Sequence, residues 1–448
     1  MRTFHRGRAV AASAGVLALL AAACGSGEET GGAGAGDRTS TTAPSAGTVG
    51  ELAGMQGTTP LTDLGPEFRA RLLEVDPDLS DLNYAAESYD AVMVIALAAL
   101  AADDDGSAHA AQINGVTRGG TRCESYAACA ALLAAGTTDI DYDGVSGALE
   151  FSGDGEPTVA SYGVLTFGDD NRIDEERTEF VLATAPAAVD VPQVPVAVTR
   201  PGDGQLKIGT LLPETGDLAY LGPPQFAGVE LAIAEINEHG GFNGSPVVHV
   251  RGDSGDADPD VANPTVDSLL GQDVDAIVGA AASGISLNVV DKITAAGVTQ
   301  FSPANTSKAF FGYADNGLYF RDAPSDILQG QVLGELIAGN GHTTVAIINR
   351  DDSYGNGLAE DVAASFEAAG GQVVAAPVVY DPEAPNFDAE VQELAGLDVD
   401  AVVLIGFEES SRILAKMVEV GVGPRDVAVY GVDGNTGNAL GEDFDSGR

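Results

Sequence analysis

Two loops carry the residues whose type and position best suit ligand chemistry. Residues 280–286 follow a strand predicted at 276–280 and open a helix, and residues 302–306 end the next strand. A helix N-terminus leaves backbone N–H groups unpaired, so the first loop suits a carboxylate, with about 0.3–1 kcal/mol from the helix dipole alone. Ser283 adds a hydroxyl donor, and Thr306 would lie beside it at the carboxyl ends of the strands. Helix capping is the alternative role for both hydroxyls.

Motifs for catalysis are weak. The chain has five histidines, and none stands with Cys, Ser or a second His at catalytic or metal-ligand spacing. A Gly-x-Ser-x-Gly arrangement is absent around the candidate serines, and so is the phosphate-binding GxxxxGK[ST] pattern. We therefore do not expect an enzyme, and we expect neither a cofactor nor a metal. Hydrolysis of a candidate ligand by the pure protein would argue the reverse.

The start of the chain predicts where the protein works. Three arginines precede an apolar run that ends in small residues and Cys24. This pattern is typical of a secretory signal over residues 1–23, and the run is shorter than the roughly 20 residues that span a bilayer. Cys24 resembles the lipid-bearing cysteine of a bacterial lipobox, although Leu20 lies four residues before it and not three. We expect an extracytoplasmic protein anchored by lipid at Cys24; an ordinary secretory signal is the alternative.

The charge excludes one class of partner. The formal net charge is −46, so the phosphates of DNA or RNA would be repelled. The same charge argues against broad docking onto anionic lipid, which leaves the anchor as the one membrane contact we expect. The acidic residues are scattered in loops, a pattern typical of a strongly solvated surface.

Two cysteines remain besides Cys24. Cys123 and Cys129 lie close together in the sequence, and in an oxidising compartment such a pair is expected to form a disulfide that closes a small loop. Zinc is the weaker alternative, because the nearby His109 has no companion at ligand spacing.

The later half of the chain alternates between short apolar strands and helical runs. From residue 207 to residue 430 the two element types follow each other, which predicts parallel sheets joined by crossover helices. The earlier half differs: it holds a very apolar helix at 84–102, which must be buried, and a predicted β-hairpin at 141–167. These pieces do not make a self-sufficient domain. A Gly- and Ser-rich tether and a Pro-rich connector flank them.

An ordered series of motifs resembles type I periplasmic binding proteins, in particular the branched-chain amino acid and amide group that serves ABC importers. The resemblance to the start and middle of such proteins rests on residues 208–217, 227–237, 353–357 and 430–434. The resemblance to their last third rests on residues 57–60, 88–91 and 141–147. No single motif is decisive; the series is.

The order of the two parts differs from that family. The part that resembles the family's last third, about residues 51–174, here precedes the part that resembles its beginning, about residues 204–440. We interpret the chain as circularly permuted, because no segment is duplicated or missing. Permutation is tolerated where the cut falls in an exposed loop. Two damaged half-copies or a rearranged gene are the alternative.

The resemblance implies an α/β fold of two lobes, each a parallel sheet flanked by helices, joined by three crossing segments with the ligand between them. Lobe 1 would combine residues 204–323 with about 58–136, and lobe 2 would combine 324–434 with about 137–174. The predicted signal peptide, tether, early segment, linker, two lobe segments and C-terminal tail are residues 1–23, 24–50, 51–182, 183–203, 204–323, 324–434 and 435–448.

In lobe 1 the resemblance implies that Ser283 and Thr306 hold the α-carboxylate of an amino acid, with the carbonyl of Ala304 facing its ammonium group. In lobe 2, Tyr354 would close over the ligand and Asp433 would pair with the ammonium, although Asp is shorter than the Glu of the family.

Phe407 would line the side-chain pocket, where many relatives have Tyr. Two of the lobe 2 positions have plainer alternatives: Tyr354 could pack within its own lobe, and Asp433 could be a turn residue in the sequence Val432-Asp433-Gly434.

Three functions compete. The first is a lipid-anchored solute-binding protein that captures a small amino acid or amide and delivers it to an ABC transporter permease. The second is a ligand-sensing receptor module of the same fold, and the third is a non-functional rearranged copy. A neighbouring permease gene would favour the first, and a neighbouring kinase or cyclase gene the second.

Overall fold

The computed structural model describes residues 49–185, 193–255 and 259–444. The expected signal peptide, Cys24 and nearly all of the tether lie outside the described residues. The strands are β1 Gln56–Pro60, β2 Thr121–Cys123, β3 Ile140–Tyr142, β4 Val159–Thr166, β5 Glu179–Thr184, β6 Lys207–Leu211, β7 Val248–Val250, β8 Ala276–Gly279, β9 Thr299–Ser302, β10 Tyr319–Arg321, β11 Thr344–Arg350, β12 Gln372–Val373, β13 Val378–Tyr380, β14 Ala401–Ile405 and β15 Ala428–Gly431.

Helices alternate with these strands through the later half of the chain. They are α1 Pro66–Val75, α2 Ala85–Ala102, α3 Ile113–Val116, α4 Tyr126–Ala134, α5 Gly222–Glu238, α6 Pro259–Gly271, α7 Ser283–Ala295, α8 Asp326–Gly339, α9 Ser353–Ala368, α10 Asp388–Ala395, α11 Ser410–Val420 and α12 Asn438–Glu442.

The first lobe is built on a five-stranded sheet in the order β10-β9-β8-β6-β7. Every neighbouring pair in it is parallel. Its strands are short apolar runs, which suits a sheet covered by helices on both faces. Ile208, Val278 and Phe301 are completely buried in its core. The parallel sheet predicted from the alternating pattern is confirmed.

The second lobe is built on an eight-stranded sheet in the order β12-β11-β14-β15-β1-β4-β5, with β13 also paired to β11. The early strand β1 lies parallel to β15, with Gln56 opposite Tyr430, and antiparallel to β4. The early strand β1 therefore lies inside a sheet whose parallel strands β11, β14 and β15 come from the later half of the chain. Both edges of β1 are hydrogen-bonded, which satisfies its buried backbone groups.

The early helix α2 belongs to the first lobe. Residues 85–99 of it are buried, and its core cluster includes Phe226 of α5 and Phe301 of β9. Gly228 of α5 lies against it so closely that a Cβ atom there would stand 2.2 Å from the carbonyl oxygen of Ala85. Within the described residues α2 has the length and composition of a membrane-spanning helix, but 83% of that stretch is buried inside the protein.

Several predicted boundaries need correction. The implied first-lobe segment 58–136 begins with β1, which pairs in the second lobe. The predicted hairpin is wrong in its first strand: Leu149 and Glu150 have φ of 56° and 48°, a left-handed conformation that ends an extended strand. Its second strand, β4, pairs with β1 and β5 instead. The predicted C-terminal tail contains α12.

The segment 193–203 of the predicted linker runs along the first lobe. Gln193 donates from its side-chain amide to the carbonyl of Ala110 at 2.8 Å. Arg200 pairs with the buried carboxylate of Asp275 at 3.0 Å. Elsewhere in this lobe, Cys123 and Cys129 form the predicted disulfide, with their Cα atoms 5.4 Å apart.

Candidate functional site

The loops at the carboxyl ends of strands from both lobes meet around one cavity. This is where a parallel sheet presents loops and helix N-termini to a ligand. The cavity is lined by Tyr84, Leu218, Leu221, Ala281, Ala282, Ser283, Ala304, Thr306, Tyr354, Phe407, Asp433 and Gly434. All six residues that the sequence singled out as ligand-binding positions are among them.

The first-lobe wall is the N-terminus of α7. Ala282 occupies the N-cap position, so this end of the helix has no side-chain cap. The first backbone N–H groups of a helix lack partners within it, and here they belong to a loop that lines the cavity. The hydroxyl of Ser283 accepts a hydrogen bond from the backbone N–H of Ser307 at 3.3 Å. The wall thus offers hydrogen-bond donors and a positive helix end, a setting that suits a carboxylate.

Hydrogen bonds hold the two first-lobe loops together. The hydroxyl of Ser302 donates to the carbonyl of Ala280 at 2.7 Å and accepts from the backbone N–H of Asn305 at 2.9 Å. The side-chain amide of Asn305 donates to the carbonyl of Ala281 at 2.8 Å. These bonds fix the loop that carries Thr306, which is 1% exposed.

A buried carboxylate forms the opposite wall. Asp433, directly after β15, accepts hydrogen bonds from the hydroxyls of Tyr354 at 2.8 Å and Tyr84 at 2.7 Å. Burial raises the pKa of Asp433 above its ordinary value, and the two phenol donors oppose that rise because they favour the charged form. Asp433 is therefore a buried, hydrogen-bonded carboxylate, which a role as a turn residue alone would not require.

Aromatic side chains support this wall. The rings of Tyr354 and Phe407 are stacked with centroids 5.5 Å apart. The guanidinium of Arg350 lies 3.6 Å from the centre of the Phe407 ring on its way to the buried carboxylate of Glu409, at 2.9 Å. Because a cation stacks on the ring and an ion pair holds that cation, Phe407 has little freedom to move.

The two lobes contact each other beside the cavity. The hydroxyl of Tyr220, from the loop before α5, donates to the carbonyl of Gly434 at 2.7 Å. The backbone N–H of Glu408 donates to the carbonyl of Asp217 at 3.2 Å. The hydroxyl of Ser307 reaches the carbonyl of Ser353 at 3.1 Å. These contacts join the two lobes across the cavity region.

Sequence reasoning missed two parts of the cavity. Tyr84 was predicted only as the start of a buried helix. Its φ of 60° places it at a left-handed turn before α2, and no sequence pattern predicted that turn. Leu218 and Leu221 lie in an irregular loop, and both are 2% exposed. They add an apolar surface next to the polar groups. Across the residues that the structure describes, no group of three or more His, Cys, Asp or Glu side chains is placed to hold a metal ion.

Comparison with known proteins identifies similar chains. The model of the periplasmic binding protein family matches residues 205–447. The Leu/Ile/Val-binding protein homolog 2 of Brucella abortus is 29% identical over 244 residues, which are 54% of this chain and 64% of the relative. The leucine-, isoleucine-, valine-, threonine- and alanine-binding protein of Pseudomonas aeruginosa is 28% identical over 246 residues, 54% of this chain and 65% of the relative.

Among solved structures, the branched-chain amino acid transporter substrate-binding protein of Streptococcus pneumoniae in complex with isoleucine is similar. It is 27% identical, with a TM-score of 0.47, over 54% of this chain and 67% of that one. The chain spans just under two thirds of the length of the two curated relatives it matches.

Proposed function

The chain belongs to the periplasmic binding protein family, and from that premise we propose that it captures a small amino acid or amide in the cavity between its lobes. The observation that carries the proposal is the pairing of opposite walls. One wall, at α7, presents a helix N-terminus and the hydroxyl of Ser283, and the other presents the carboxylate of Asp433. An α-amino acid carries a carboxylate and an ammonium group, which match these two walls in charge.

The remaining lining supports a ligand with a small apolar side chain. Leu218, Leu221 and the ring of Phe407 contribute apolar surface to the lining. Apolar surface beside a few convergent polar groups is the usual composition of a small-molecule site. The ligand would be held by contacts from both lobes, so its binding would stabilise the closed arrangement.

We place this activity outside the cytoplasm, with Cys24 as the lipid attachment site and an ABC transporter permease as the partner that receives the ligand. The relatives named above bind branched-chain and small amino acids by their names, and one solved structure is described as a transporter substrate-binding protein. The protein would act by binding alone, without chemistry on its ligand.

We also propose that the chain is a circular permutation of the family order. Two contacts support this: β1 pairs with β15 inside the second sheet, and α2 packs against α5 in the first lobe. A variant with residues 51–182 moved behind residue 440 would keep both contacts. We expect it to fold and bind the same ligand; failure to fold would argue against permutation.

Titration calorimetry against a panel of L-amino acids and their amides tests the ligand class. We expect one α-amino acid to bind and its N-acetylated form to fail, because acetylation removes the positive charge that Asp433 would face. Ser283→Ala should weaken binding about 10- to 100-fold, because a hydrogen bond to a charged group contributes about 1.5–3 kcal/mol.

Ser125→Ala is the matched control for Ser283→Ala. Ser125 caps α4, where its hydroxyl accepts from the backbone N–H of Ala128, and it does not line the cavity. It should lower stability by about 1 kcal/mol with affinity unchanged. If no amino acid or amide binds, or if both serine variants weaken binding equally, the proposed function is wrong.

A further inference from the structure

A second cavity lies where the chain passes between the lobes. Three segments cross there: one follows β1, one joins β3 to β4, and one joins β10 to α8. Its lining includes residues from all three crossings or their ends and from α2: Pro60, Ser146, Gly147, Asp322, Pro324 and Glu87. We call it the hinge cavity.

Two carboxyl groups in the hinge cavity lack a compensating positive charge. Asp322 is 4% exposed, and both of its carboxylate oxygens are buried without a side-chain hydrogen-bond partner; the backbone N–H groups of Asp322 and Ala323 are the donors that lower its pKa against the effect of burial. Glu87 is 5% exposed, and its charge raises the pKa of Asp322. Two buried like charges without a counter-charge are costly, so such a pair either takes up protons or holds a cation.

The third acid nearby already has its partners. Asp90 of α2 accepts hydrogen bonds from the hydroxyl of Tyr142 at 2.7 Å and from the backbone N–H of Val145 at 3.1 Å. It also accepts from the backbone N–H of Ser146 at 2.7 Å and from its hydroxyl. Asp90 therefore holds the crossing segment in place and does not neutralise Asp322.

The neighbouring cation is also engaged elsewhere. Arg321 precedes Asp322, but its guanidinium pairs with Glu156 and donates to the carbonyls of Asn305 at 3.1 Å and Ser307 at 2.9 Å. The charged groups that act most strongly on Asp322 are Glu87 and Asp90, and both raise its pKa.

We propose that the hinge cavity binds one hard divalent cation of the Ca²⁺ type, bridged by the carboxylates of Glu87 and Asp322. Two carboxylates balance a charge of +2, and carboxylate, hydroxyl and backbone carbonyl oxygens are the ligands that Ca²⁺ prefers. The described residues that line the cavity include no His or Cys, which Zn²⁺ or Cu²⁺ would favour. With only two carboxylates, the site belongs with the weaker extracellular sites, with Kd of about 10⁻⁴–10⁻³ M.

The proton competes with this cation. Burial raises the pKa of Glu87 to about 8, and that of Asp322 well above its ordinary value. A carboxyl must lose its proton to coordinate a metal, so cation binding releases protons. The apparent affinity should therefore fall as the pH is lowered.

Calorimetry with CaCl₂ alone, at pH 8 in 150 mM KCl, tests the proposal on the whole chain. We expect one site per molecule in the wild type, lost in both Asp322→Asn and Glu87→Gln. Asp326→Asn is the matched control: its carboxyl group is also buried, but it does not line the hinge cavity. It should keep the site.

The control matters because so acidic a surface binds Ca²⁺ weakly at many places. Since Asp322→Asn and Glu87→Gln each remove an uncompensated buried charge, both should fold. Equal Ca²⁺ binding by the wild type and these variants would overturn the proposal, and so would the absence of binding by the wild type at 10 mM CaCl₂. The result does not depend on which amino acid the main cavity takes.

Discussion

The hydroxyl of Tyr84 offers a sharp test of how the buried Asp433 is held. Replacing Tyr84 with Phe removes one of the two phenol donors to the carboxylate and leaves the ring in place. The lost hydrogen bond is 2.7 Å long and both partners are buried, at 1% and 4% exposure. A hydrogen bond to a charged group contributes about 1.5–3 kcal/mol, against about 0.5–1.5 kcal/mol for one between neutral groups.

The size of the effect should depend on pH. Because the pKa of Asp433 is raised in the folded protein, that protein binds the proton more tightly than the unfolded chain. The contribution of this group to stability is therefore complete below its ordinary pKa of 3.8 and is lost as the pH rises through the raised value. Without the Tyr84 hydroxyl the pKa rises further. Tyr84→Phe should cost about 1.5–3 kcal/mol at a pH above the raised pKa of Asp433 and about 0.5–1.5 kcal/mol at a pH below it.

Urea unfolding at both pH values measures this difference, with Tyr220→Phe as the control. The hydroxyl of Tyr220 is also buried beside the cavity, but it donates to the neutral carbonyl of Gly434 at 2.7 Å. Its removal should cost about 0.5–1.5 kcal/mol at either pH. If the two variants lose the same stability at the higher pH, or if the cost of Tyr84→Phe does not change with pH, the reasoning about Asp433 is refuted.

Two further predictions concern the free energy of unfolding, and a third concerns the pKa of one carboxyl group. Replacing both Cys123 and Cys129 with Ala should cost about 2 kcal/mol in urea unfolding, since the loop they close is short; an unchanged free energy would mean that the disulfide does not constrain the chain. Glu409→Gln should cost about 3–5 kcal/mol, because it leaves the guanidinium of Arg350 buried beside one remaining acid; a loss below 1 kcal/mol would contradict this. Asp400 accepts hydrogen bonds from two backbone N–H groups and a hydroxyl, which lower its pKa to about 2; an NMR titration midpoint near 3.8 would show that those bonds do not form in solution.

The sequence by itself determined the later half of the fold. Short apolar strands and helical runs alternate there, and the strand predicted at 276–280 is observed as β8, Ala276–Gly279. Such local signals are strong because a buried parallel strand must be apolar along its whole length. Where the pattern was weak the prediction failed: the first strand of the hairpin predicted at 141–167 is interrupted at Leu149 and Glu150, where φ is positive.

The candidate cavity was predicted in part. Ser283 and Thr306 could be found because they follow strands at a position where parallel sheets present ligand-binding loops. Tyr354, Phe407 and Asp433 came from the resemblance to a family. No sequence pattern marked Tyr84 as a cavity residue, since a tyrosine before an apolar helix is equally well explained by packing.

Only the tertiary structure decided which distant residues became neighbours. Tyr84 and Asp433 are separated by 349 positions yet share a hydrogen bond, and β1 enters a sheet whose other parallel strands come from the end of the chain. The sequence also gave no hint that Glu87 and Asp322 would share a cavity. The physical reason is that periodicity records which face of an element is buried, whereas the identity of the partner depends on how whole elements pack.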